Sequence, residues 1–195
     1  MTPRKIEPSA IIPLPQYTGE RAERRKHMAE LKKNRRLEVG PFATFYFESY
    51  DTMLHQVHEM LFIEKGGAEQ LPDELAAYNP LIPQGHELVA TVMFEIDDPA
   101  RREQTLARLG RVEDNFFLQV GAERIAGIPE GDMERTREDG KTAAVHFLHF
   151  PLQPGQIAVF RDPATTIMIG CDHERYNHLA GLSPASRAEL ARDFA

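Results

Sequence analysis

Alternation of apolar and polar positions sets most of the predicted elements. FATFYFESY, residues 42–50, places Ala43, Phe45 and Phe47 on one face and Phe42, Tyr46 and Glu48 on the other. Aromatics on both faces predict a central strand. ELVATVMFEIDD, residues 87–98, puts Leu88, Ala90, Val92, Phe94 and Ile96 on one face of a second strand. NFFLQVGAERIAGI reads as a hairpin around Gly121, and TAAVHFLHFPL, QIAVFRD and TTIMIGCDH as three further strands. Helical spacing appears between them. Asp51 or Thr52 caps a helix ended by Gly66–Gly67, and a short helix follows at PDELAAYN. Asp97 or Asp98 with Pro99 opens another that Gly110 stops, and Ser183–Pro184 opens the last.

Before these, residues 1–17 are proline-punctuated and expected to be extended. A helix is expected from about Glu20 to Leu37, acidic early and basic late as the helix dipole favours. Its apolar stripe is narrow, which predicts shallow packing and a solvated basic face. Helices and strands interleave, but the hairpins predict a mixed or mostly antiparallel sheet. The expected class is α+β with flanking helices, a basic N-terminal helical arm over residues 1–38 and one domain over residues 39–195. Residues 129–141 form a polar loop, expected to be the most mobile segment.

Composition narrows the chemistry. A chain of 195 residues, 42% hydrophobic and 27% charged, can bury one sizeable core. Its single cysteine, Cys171, excludes an intrachain disulfide and a Cys-cluster zinc site. No apolar stretch predicts a membrane span or a signal peptide, so a cytoplasmic location is expected. The net charge of −7 is unevenly spread: residues 1–38 carry ten Lys/Arg against five Asp/Glu, and the remainder thirteen against twenty-five. A basic arm on an acidic body suits an acidic protein partner, its own body, or a second copy through residues 20–37. Nucleic-acid binding is the weakest reading, because no aromatic residues interleave the basic run.

Three polar clusters could carry chemistry. On the helix after Asp51, His55, His58, Glu59 and Phe62 fall opposite the core stripe Leu54, Val57, Met60 and Leu61. Two imidazoles and a carboxylate could supply metal ligands, although His-x-x-His-Glu matches neither zincin order. Phe62 within that polar face implies that something covers it; the alternative is an ordinary surface face. In IMIGCDHERYNHL, residues 167–179, Ile169, Cys171 and His173 share a strand face. Asp172 is expected to cap a helix carrying His173 and Tyr176, with His178 off their line. Glu48 and Glu95 end hydrophobic strands and need a partner or a metal, an arginine of the arm being the plain alternative. His146 and His149 alternate to opposite faces, so one strand cannot offer both to one ion. No phosphate loop, nucleophile elbow or dinucleotide fingerprint is present.

The stretches FATFYFESYDTMLHQVHEML, ELAAYNPLIPQGHELVATVMFEID and DHERYNHLAGLSPASRAELARDF resemble the bacterial domain-of-unknown-function family numbered 3501 over essentially the whole chain. The resemblance rests on Glu48, Thr52, Gln56, Glu59, Met60, Asn79, Pro80, Glu95, His173, Tyr176 and His178. His55, His58 and Cys171 fall outside the pattern. Genes of such proteins lie near those for rubrerythrin and iron–sulfur oxidoreductases, which implies a link to redox or oxidative-stress metabolism without naming a reaction.

Together these observations favour a protein that binds a small ligand or a divalent metal (Fe, Mn or Zn). The expected ligand set is Glu48, Glu59, Glu95, His173 and His178, and the acid–base candidates are Glu59, His173 and Tyr176. The alternative is a non-catalytic partner of a redox enzyme, docking through the basic helix.

Overall fold

A computed structural model describes residues 3–131, 135–137 and 140–195. Two antiparallel sheets face each other. The first has the order β1 (Arg36–Val39), β2 (Ala43–Phe47), β3 (Glu87–Phe94), β7 (Val145–Pro151) and β6 (Ile128–Pro129). The second has the order β5 (Glu123–Ala126), β4 (Phe116–Val120), β8 (Ile167–His173) and β9 (Tyr176–Gly181). Around them lie α1 (Leu14–Lys32), α2 (Tyr50–Glu64), α3 (Gly67–Tyr78), α4 (Pro99–Leu106), α5 (Pro154–Arg161) and α6 (Pro184–Leu190). The architecture is α+β, as the hairpins require.

The main core fills the space between the sheets. Ala43, Phe45 and Phe47 sit beside Leu88, Ala90, Val92 and Phe94 and face Phe116, Leu118, Ile169 and Cys171. Burial of such side chains contributes about 1.5–3 kcal/mol each. A second core forms on the opposite face of the first sheet, where Val89 meets Met53 and Val57 of α2, with Leu81, Ile82 and Ile6. Sheet one is therefore covered on both sides at β3, whereas on the outer face of β2 Tyr46 stays partly exposed and bonds Glu95.

The N-terminal residues are built into this second core. Ile6 is fully buried, and the Asn79 side chain clasps its main chain, accepting from Ile6 N and donating to Ile6 O. Arg35 is buried at 3% exposure and bonded to both carboxylate oxygens of Asp193 at 2.6 and 3.1 Å, to Glu189 at 3.1 Å and to the Glu48 carbonyl. This cluster ties the start of the chain to its end.

Four elements differ from the sequence expectation. The basic helix begins earlier, at Leu14, and ends at Lys32; a 3-10 turn at Pro8–Ala10 precedes it. Pro13 and Pro15 read as breakers, yet in the first turn of a helix a missing N–H removes no hydrogen bond. Arg36 and Leu37, expected to end the helix, instead open β1 because Leu37 and Val39 alternate inward onto the core. The second helix after Gly66 spans Gly67–Tyr78 rather than only its last turns. QIAVFRD is helical, as part of α5: Pro154 opens it, Gln153 and Gln156 cap each other, and Ile157 and Phe160, three apart, face the core. The expected mobile loop lies partly outside the described residues, at positions 132–134 and 138–139.

Candidate functional site

A fifth difference concerns the polar stretch at the end of β8. Asp172 caps no helix; it stays in β8, opposite Asn177 of β9 and 3.4 Å from Arg124. His173 closes the hairpin itself, its Nδ1 accepting from Arg175 N at 3.1 Å, while Nε2 meets the Gly110 carbonyl at 3.3 Å. In the hairpin Cys171 opposes His178 and His173 opposes Tyr176, so all four side chains share one face.

On that face Tyr176 holds the turn between β1 and β2. Its hydroxyl donates to Val39 O at 2.7 Å and accepts from Phe42 N at 3.0 Å and Ala43 N at 2.7 Å. His178 packs on the Tyr176 ring edge, with ring centroids 4.6 Å apart. It also lies so close to Gly40 that a Cβ there would come within 2.5 Å of the imidazole; Gly40 further needs its φ of +70°. Cys171 is buried, and burial pushes its thiol up to about 11, away from a reactive thiolate.

The three carboxylates lie apart from this face and from one another. Glu48, 6% exposed, accepts from Thr91 Oγ1 and Thr52 Oγ1, each at 2.7 Å. Glu95, at the other end of the sheet, accepts from Thr44 at 2.6 Å and Tyr46 at 2.7 Å, with Arg36 at 3.5 Å. The Thr44 bond, with help from Tyr46 and Arg36, holds it below the usual carboxylate range. Glu59 sits on α2. The antiparallel register puts Glu48 and Glu95 at opposite ends of the β2–β3 pair, which is why two strand-end carboxylates fail to converge. Among the described residues no three His, Cys, Asp or Glu side chains are grouped to hold a metal ion.

The β7 histidines take opposite faces, as alternation predicts. His146 is fully buried in the core between Phe94 and Phe116. His149 points outward and bridges two carboxylates, Nδ1 to Glu87 at 2.9 Å and Nε2 to Glu130 at 3.0 Å. The Glu87 bond raises the His149 pKa against the effect of burial.

The cluster on α2 is the one that opens onto space. Its polar face is covered by α1, as Phe62 implied. Tyr17 donates to Glu59 Oε1 at 2.7 Å, and Arg21 makes a two-pronged ion pair with Glu59, both bonds at 2.8 Å. The Arg21 guanidinium also lies 4.3 Å above the Phe62 ring. The Arg21 bonds hold Glu59 below the ordinary carboxylate range, while burial and then Glu59 raise the Tyr17 phenol. His58 stacks on Tyr17 with centroids 4.8 Å apart and planes 14° from parallel. Its Nδ1 donates to Leu54 O and its Nε2 accepts from Ile12 N, a neutral tautomer on both counts. Burial lowers the pKa of His58 and of His55.

Tyr17 and His58 form a wall shared by two cavities. On one side a cavity of about 320 Å³ is lined by Pro8, Ile11, Ile12, Pro13 and Leu14 of the N-terminal segment, by Leu61 of α2 and by Gly67, Ala68 and Leu71 of α3. On the other, a cavity of about 430 Å³ carries Glu23, Arg24, His27 and Met28 of α1 and Asp51, Leu54 and His55 of α2. One side is apolar, the other polar. Sequence reasoning found His55, His58, Glu59 and Phe62 but missed Tyr17 and Arg21, whose pairing spans some forty positions; Tyr17 was the lone aromatic near the basic helix.

The family model described as protein of unknown function (DUF3501) matches residues 5–194. A crystal structure from Burkholderia pseudomallei K96243, described as a novel protein of unknown function, superposes with a TM-score of 0.90 at 34% identity, covering 98% of this chain and 100% of that one. Among curated proteins none matches. No helix of the described residues is long and apolar enough to cross a membrane.

Proposed function

We propose that this chain, which belongs to the DUF3501 family of proteins of unknown function, binds a small molecule with an apolar body and a polar end in the cleft between the N-terminal arm and α2–α3. The observation that carries the reading is the stacked Tyr17–His58 pair with an apolar cavity on one side and a polar one on the other. Small-molecule sites are typically concave spaces of about 300–1,000 Å³, mostly apolar with a few polar groups that fix orientation. The apolar cavity offers branched aliphatic and proline side chains to a hydrophobic body. In the polar cavity the side chains of His27, His55 and Asp51 make no hydrogen bond to any described residue, so their ring nitrogens and carboxylate are open to a ligand. The redox link implied by the family resemblance adds no residue to this site, and the reading does not depend on it.

The test is uptake of anilinonaphthalene sulfonate, a dye with an apolar ring system and an anionic end, followed by fluorescence. Saturable binding of one dye per chain is expected, lost when Leu71→Trp fills the apolar cavity and weakened by His55→Ala. A single-site dye response that Leu71→Trp leaves unchanged, with the variant folded by circular dichroism, would place binding elsewhere and overturn the reading.

A further inference from the structure

We propose that the outward edge of β1, with the basic trough beside it, takes an extended acidic segment of a partner protein as an added strand. β1 is the outer strand of its sheet. Phe47 N donates to Arg35 O at 2.8 Å, and antiparallel ladders alternate bonded and non-bonded pairs, so Leu37 turns its main-chain groups toward β2. Arg36 and Glu38 then direct their N–H and C=O groups away from the sheet, where they meet no main-chain partner among the described residues. An open edge with donors and acceptors in alternation is a template for strand addition.

Charge selects the occupant. Alongside the edge runs a trough of about 560 Å³ walled by Ala29, Lys32, Lys33, Arg36, Leu37 and Glu38. Most cations of this region are used within the chain: Arg21 by Glu59, Arg24 by Glu20, Arg35 by Asp193, and in the trough itself Arg36 by Glu38 at 3.1 Å and Glu95 at 3.5 Å, which leaves the lysines as its surplus positive charge. Lys32 has no acidic partner among the described residues, nor do Arg25 and Lys26 farther back on α1. The Lys33–Glu30 pair is exposed and contributes little. A positive trough on a chain of net charge −7 favours an acidic visitor. A peptide supplies both donors and acceptors to the edge. A nucleic-acid backbone supplies acceptors alone, leaving the outward carbonyls of Arg36 and Glu38 unmatched.

A fluorescein-labelled peptide of alternating glutamate and valine, read by anisotropy, tests this. Saturable binding is expected, weakened about tenfold or more by Lys32→Glu with Lys33→Glu, as when facing charges are reversed. The same peptide N-methylated along its main chain should bind at least about tenfold more weakly, since it cannot join the ladder. Three outcomes would overturn the proposal. The methylated peptide could bind equally well; an oligothymidylate of equal charge could bind as tightly as the peptide; or sedimentation could show self-association abolished by the same lysine reversals, which would make a second copy the occupant. Lys32 is half-exposed in the last turn of α1 and Lys33 is exposed just after it, so folding is retained, and circular dichroism checks it.

Discussion

Replacing Tyr176 with phenylalanine separates a structural from a chemical role for the residue that most resembles a catalytic acid. The ring contacts with Phe94, Phe42 and His178 remain, and only the hydroxyl is lost. Three hydrogen bonds go with it: one to the Val39 carbonyl and two from the Phe42 and Ala43 amides. Tyr176 is 3% exposed, so water does not readily replace them. At about 0.5–1.5 kcal/mol net per bond, the expected loss is about 2–4 kcal/mol. For a chain of this size that lowers Tm by about 5–15 °C. Urea denaturation followed by circular dichroism measures the loss, with Tyr46→Phe as control. The Tyr46 hydroxyl bonds Glu95 in an exposed position, and its removal should change stability by less than about 0.5 kcal/mol. If Tyr176→Phe is as stable as the parent, the hydroxyl is not holding the β1–β2 turn, and the reasoning fails.

Three further outcomes follow from the same contacts. A double-mutant cycle of Arg21→Ala and Glu59→Ala should show a favourable coupling, since two guanidinium nitrogens meet the one carboxylate; additive effects would contradict an anchoring role for α1. Arg35→Met should cost about 3–5 kcal/mol by leaving Asp193 buried without its cation, and adding Asp193→Leu should recover part of that loss; a loss unchanged in the double variant would refute it. For the His149 bridge, the pKa is raised in the folded state, so its stabilisation is complete below the unfolded value of about 6.5 and fades as pH rises through the folded value. Glu87 is the mirror case: burial opposes, but the His149 bond prevails and lowers it, so its share fades as pH falls below about 4.3. The Tm gap between the parent and His149→Gln should therefore be widest near pH 5–6 and shrink toward pH 9; a gap that does not vary with pH would show that the charge on His149 is immaterial.

Much of the fold is legible because strand alternation and cap chemistry act locally. β2, β3 and the β4–β5 hairpin follow from period-two patterns; α2, with Asp51 or Thr52 expected as its cap, starts two to three positions earlier, at Tyr50, because Ser49 and Thr52 cap each other. The misread elements have different causes, long-range packing for β1 and unrecognised local hydrogen bonds for α5 and the β8–β9 turn. β1 follows a helical run because Leu37 and Val39 are wanted in the core. α5 is built from β-branched and aromatic residues because its caps and the Ile157–Phe160 stripe suit a helix on that surface. The β8–β9 turn has neither glycine nor asparagine at its tip; the imidazole of His173 closes it instead, and a side-chain bond of that kind leaves no composition signal.

The same reasoning explains why the residues that looked most chemical are poor candidates for binding anything. Glu48, His173 and Tyr176 drew attention as polar groups in apolar surroundings, and burial of such groups is tolerated only when their hydrogen bonds are filled. The chain fills them: two threonines for Glu48, a carbonyl and an amide for His173, a carbonyl and two amides for Tyr176. A ligand taking any of these atoms must first break bonds that hold a turn or a strand in place. Groups fit for a ligand are those that line open space and have atoms left over. His27, His55 and Asp51 meet that condition beside the Tyr17–His58 wall, on a surface that exists only because α1 folds back over α2. Their spacing of up to twenty-eight positions along the chain carries no motif, and the arm that brings them together is held by Glu59, the one carboxylate of the expected metal set that bonds Tyr17 of the wall.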